Sequence, residues 1–128
     1  MRRLLPWLLL ALGAGLLVAG CGGGKKTYTL AETRACLAGQ PVRLVGRVDF
    51  VASTALGGAV RVKLPQNQVT IAFALDEAEA ARIAQAYRRF RGRNIGIEDV
   101  LRPQRNAVLL WVAHPSSEDE QTVTGCLK

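Results

Sequence analysis

The segment Val60-Arg61-Val62-Lys63-Leu64-Pro65-Gln66-Asn67-Gln68-Val69-Thr70-Ile71-Ala72-Phe73-Ala74-Leu75 decides the fold. Val60, Val62 and Leu64 alternate with Arg61 and Lys63, and Val69, Ile71, Phe73 and Leu75 alternate with smaller or polar residues. A period of two places one set of side chains on each side of a strand. Pro65 to Gln68 carries turn chemistry, so the two runs close as a hairpin.

Before the hairpin, Arg43 to Phe50 is predicted as a further strand, and Val51 to Gly58 as a loop or one short helical turn. Ala107 to Ala113 is apolar on both alternating faces, the mark of a central, doubly covered strand. Ile95 to Leu101 reads as a short strand joined to it through Pro103 to Asn106. Three segments open with a capping residue and a carboxylate three places later: Thr29 with Glu32, Asp76 with Glu79, and Ser117 with Glu120. The first helix should stop at Gly39 and the third run from about Glu118 to Leu127. The second carries Ala80, Ile83, Ala84, Tyr87 and Phe90 at helical spacing, with Gly92 as its stop. Sequential antiparallel strands with about three helices on one face predict a small two-layer α+β domain.

The N-terminal end follows different rules. Arg2 and Arg3 precede an apolar stretch from Leu4 to Val18, which gives way to small residues and Cys21. A membrane-spanning helix needs roughly 20 predominantly apolar residues, so the segment reads as a cleaved secretory signal. Val18-Ala19-Gly20-Cys21 resembles the lipobox of bacterial lipoprotein precursors. That resemblance covers residues 1–21 and implies a diacylated Cys21, of palmitate type, as the new N-terminus on the extracytoplasmic face of a membrane. Residues 1–20 are then the signal peptide, 21–28 a Gly/Lys tether spanning roughly 15 Å, and 29–128 one domain.

The whole chain has 17 basic and 10 acidic residues. Cleavage would remove two arginines and leave a charge of +5, which suits anionic lipid or an acidic envelope protein; an exported address argues against nucleic acid. Of the three cysteines, Cys36 and Cys126 remain after lipidation of Cys21 and are expected to form a disulfide.

Candidate chemistry is sparse. His114, the single histidine, lies close to Ser116, Ser117 and Asp119, but working triads draw their members from separate elements. Gly24-Lys25 lacks both the earlier glycine and the following Ser or Thr of a phosphate loop. No dinucleotide fingerprint occurs, and no cofactor is expected. One histidine and a disulfide cannot build a usual zinc site, and Glu98, Asp99, Glu118, Asp119 and Glu120 lack the alternation of a calcium loop. Arg88, Arg89, Arg91 and Arg93 form the densest charge cluster and are the candidate surface for anionic lipid or an acidic partner. Trp111 is a core residue or the lining of a pocket. The leading expectation is a non-catalytic, membrane-anchored envelope domain that binds or assists a partner. Its rivals are a small envelope hydrolase at His114 and a purely structural lipoprotein.

Overall fold

The hairpin forms as the alternation requires, with Val60 opposite Ile71 and Val62 opposite Val69. The computed structural model describes residues 26–91 and 96–128, so the signal segment, Cys21, Gly92, Arg93 and Ile95 lie outside the described residues. Strands β1 (Arg43–Val45), β2 (Ala59–Lys63), β3 (Gln68–Phe73), β4 (Leu101–Gln104) and β5 (Ala107–Trp111) make one antiparallel sheet. Their order is β1-β2-β3-β5-β4. The helices are α1 (Leu30–Leu37), α2 (Phe50–Ser53), α3 (Glu77–Arg91), α4 (Ile97–Val100) and α5 (Ser117–Thr124). The class is the one expected, a small α+β domain with one disulfide. Among the described residues, the three helices of eight or more residues are the three expected; α2 and α4 are single turns.

Every residue of β5 is buried, and this requires cover on both sides of the sheet. On one face Val60, Val62, Val69, Ile71, Phe73, Leu109 and Trp111 pack with Leu37 of α1 and with Val123 and Cys126 at the end of α5. On the other, Ala72, Val108, Leu110 and Leu101 meet Val51 and Ala52 of α2 and Ala80, Ile83, Ala84 and Tyr87 of α3. The layering is therefore fuller than helices on a single face. Large side chains fill the first core, while alanines on both partners let α3 approach closely in the second.

α1 and α5 have eight residues each, too few to persist alone in water. Packing supports them, and so does the Cys36–Cys126 disulfide, whose Cα atoms lie 5.3 Å apart. Beside it, Thr29 N donates to Lys128 O at 2.6 Å.

Local chemistry explains each departure from the predicted elements. The strand expected over Arg43–Phe50 ends at Val45, because Asp49 accepts the Ala52 N–H at 2.9 Å and starts α2. Gly96 adopts φ 107° and is followed by a helical turn, α4, in place of a strand before Leu101. Ser116, rather than Ser117, caps α5 by accepting the Asp119 N–H at 3.1 Å. Asp76 caps α3 by accepting the Glu79 N–H at 2.7 Å, but the Glu79 carboxylate does not return to its cap. Instead it is buried and accepts Leu75 N–H at 2.8 Å and Leu56 N–H at 2.9 Å, tying the loop before β2 to the loop before α3.

Asn106 clamps the same end of the sheet. Its Oδ1 accepts Tyr28 N–H at 2.7 Å, and its Nδ2 donates to Tyr28 O and Ala74 O, both at 2.8 Å. Tyr28, assigned above to the tether, is thus already held by the domain.

Two stability outcomes follow from these ties. The disulfide spans 90 residue steps, for which chain entropy sets an upper figure of about 4.5 kcal/mol. Replacing both cysteines by Ser should lower the melting temperature by roughly 15 °C for a loss of about 3 kcal/mol, measured by circular dichroism. Glu79→Gln leaves one loop amide facing an NH₂ group and should cost about 2 kcal/mol in urea denaturation, whereas Glu77→Gln, on an exposed residue, should cost little.

Candidate functional site

Part of what the sequence singles out gathers around α4, where Arg88 meets Glu98, His114 meets Asp99, and Arg102 bonds both Glu120 and the Asp99 carbonyl, whereas Trp111 lies in the core. Arg88 is engaged: its Nε lies 2.6 Å from Glu98 Oε1 and its Nη2 3.3 Å from Oε2, which binds α3 to α4. That fork raises the Arg88 pKa and holds the Glu98 carboxyl below its ordinary range, because each hydrogen bond favours the charged form of both partners. Arg89 is exposed, Arg91 ends α3, and Arg93 lies outside the described residues. Trp111 is 1% exposed and belongs to the core shared with α1 and α5.

His114 does find a carboxylate from another element, with Nδ1 2.7 Å from Asp99 Oδ1. Both side chains are mostly in water, and among the described residues no serine, threonine or cysteine hydrogen-bonds the ring. The pair has an orienting acid and lacks a nucleophile. Among the described residues there is also no group of three His, Cys, Asp or Glu fit to hold a metal ion, and no helix long and apolar enough to cross a membrane.

A different surface has the marks of a binding site. α3 lies over β4 and β5, and α2 lies against α3 and β3, so α3 does not cover the half of that face formed by β1 and β2. Strand alternation and register put Arg43, Arg61 and Lys63 there together: Arg43 is opposite Lys63, and Arg61 is opposite Thr70. Like charges directly across an antiparallel pair destabilise it. No side-chain hydrogen bond or ion pair reaches any of the three cations among the described residues, and Arg61 Nε is buried without a partner. Asp49 shares a cleft of about 110 Å³ with Arg61. Its carboxylate is occupied elsewhere, accepting from Ala52 N and from Tyr87 Oη at 2.9–3.0 Å.

Next to this face, Phe50 and Phe90 flank a second cleft of about 190 Å³ floored by Val51 and Tyr87. Phe50 is 76% exposed and Phe90 69%. Unpaired cations therefore adjoin exposed aromatic rings. A wider concavity, about 450 Å³ between α3 and β4, is a weaker candidate. Of its three arginines, Arg88 is paired with Glu98 and Arg105 stacks over Tyr28 at 5.3 Å. The alternation that located β2 already separated Arg61 and Lys63 from the apolar set, but it carries no signal of which half of the face stays open. Comparison with protein-family models, with curated proteins and with solved structures returns no match.

Proposed function

We propose that the chain is a bacterial lipoprotein, anchored by acyl chains on Cys21 at the extracytoplasmic face of a membrane, and that its domain binds without catalysing. The order of charged start, apolar run, small residues and cysteine over residues 1–21 supports the address. The Cys36–Cys126 disulfide fits an oxidising compartment. The partner we infer is an acidic envelope protein. Arg43, Arg61 and Lys63 would meet its carboxylates, and the cleft between Phe50 and Phe90 would take an apolar side chain. The three cations Arg43, Arg61 and Lys63, gathered on one half-face with no carboxylate paired to them among the described residues, carry this reading, since an acidic partner would supply the missing counter-charge. Gatekeeping of a sheet edge accounts for charge on β1; it does not account for a cation on β2, an interior strand.

The address is checked by mass spectrometry of the N-terminus from cells. Acylated Cys21 is expected in the membrane fraction, and Cys21→Ser should leave the chain unprocessed or released. Any other mature N-terminus overturns the anchoring.

For the face, solubilised envelopes are passed over the immobilised domain, with a combined Arg61→Glu, Lys63→Glu variant as comparison. Retained acidic proteins should fall at least tenfold for the variant while its circular dichroism stays unchanged. The same loss should follow from raising the salt. Equal retention by variant and wild type shows that this face is not the site, and no retention by either favours a purely structural lipoprotein.

A further inference from the structure

Two large apolar side chains stand in water at the opposite end of the sheet from Phe50 and Phe90, and they have a shared support. Leu56 is 72% exposed and Leu75 is 61% exposed. The backbone N–H groups of both are held by the one buried carboxylate of Glu79. Gly57 brings the first loop tight against β3: its N–H donates to Phe73 O at 2.8 Å, and a Cβ there would sit 2.5 Å from the same oxygen. A buried carboxylate and a glycine that no other residue can replace thus fix two loop tips, yet the leucines on those tips bury little. Fixing them this rigidly serves the fold no better than polar tips would.

This end is also where the chain emerges. Asn106 binds Tyr28 and Ala74 with the same amide nitrogen, placing Tyr28 beside the loop that carries Leu75. Lys26 and Thr27 line a cavity with Asp76, the residue after Leu75. Seven residue steps separate Cys21 from Tyr28, a reach of at most about 25 Å even when fully extended. An anchor at Cys21 would therefore hold the domain close to its surface, and this end is the one nearest the point of attachment.

We propose that Leu56 and Leu75 rest in the interfacial layer of the lipid bilayer, as an apolar foot beside the acyl anchor. This rests on the lipoprotein reading and deepens it: the foot orients the domain, with Phe50, Phe90 and the basic half-face turned away from the membrane. Charge at this end is mixed, with Lys26 and Arg105 facing Asp76 and Glu77 across the cavity. The foot therefore works through apolar burial, and anionic lipid is not required. This contact is separate from the arginine cluster at the end of α3.

The test does not depend on whether cells acylate Cys21. Residues 21–128 include every described strand and helix and both cores, and with Cys36 and Cys126 bridged, Cys21 is the one free thiol. The domain is coupled through it to maleimide-bearing lipid in phosphatidylcholine vesicles. Leu75→Trp serves as the probe and Phe50→Trp as the control, and acyl-chain-brominated lipid is the quencher. With the emission of Trp111 in the parent domain subtracted, the signal of Trp at position 75 should fall by at least half and shift to the blue, and that of Trp at position 50 should be unaffected. In uncoupled Leu75→Trp protein, a Leu56→Glu change should weaken binding to the same vesicles about tenfold. Absent quenching at position 75, or equal quenching at both positions, overturns the foot and leaves the anchoring to be judged on the cellular N-terminus alone.

Discussion

The sheet has to be covered twice, and the rest of the architecture answers that requirement. β3 and β5 present apolar side chains to both sides, and an uncovered face would leave much of that area in water at about 25 cal/mol per Å². The chain supplies two unequal covers. α3 is long enough to span β4 and β5 by itself, whereas the other face receives two eight-residue helices that need a covalent tie. Because α3 sits towards one side and α2 extends it only as far as β3, α3 does not cover the β1–β2 half. The basic face is thus a geometric remainder of how the core is closed.

The same arrangement separates the domain into two ends with different chemistry. At one end Asn106 and Glu79 satisfy backbone amides from three loops and leave leucines outermost. At the other lie the Phe50–Phe90 cleft, the Arg61 cleft and Val112, which is also exposed. Both ends spend burial on polar groups, but only the second leaves a buried guanidinium nitrogen unmet. That asymmetry gives the two ends different chemistry, apolar at one and cationic at the other.

Much of this was legible in local sequence. The alternation at Val60–Phe73, the caps at Thr29 and Asp76 and the pairing of Cys36 with Cys126 each rest on spacing or on counting, and each reads directly. Elements set by one residue's competing hydrogen bond were harder: Asp49 turning a strand into α2, or Ser116 capping ahead of Ser117. The site was harder still. Arg88 and its neighbours stood out by density, yet Arg88 is consumed by Glu98, ten residues away and on another helix. Arg61 and Lys63 looked like the ordinary wet side of a strand, because only the placement of α3, fixed by non-local packing, decides that this half of the face is left without a long helix. Glu79 carried a true signal with a different object: it caps loops rather than its own helix.

One further feature bears on how copies of the domain share a surface. Both edges of the sheet are poor templates: β1 has three residues, and β4 carries Pro103, which has no N–H to offer an incoming strand. Where copies of a protein are crowded together, a free strand edge invites chains to zip together. With its edges cut short and stiffened, this domain offers little for a neighbouring strand to pair with.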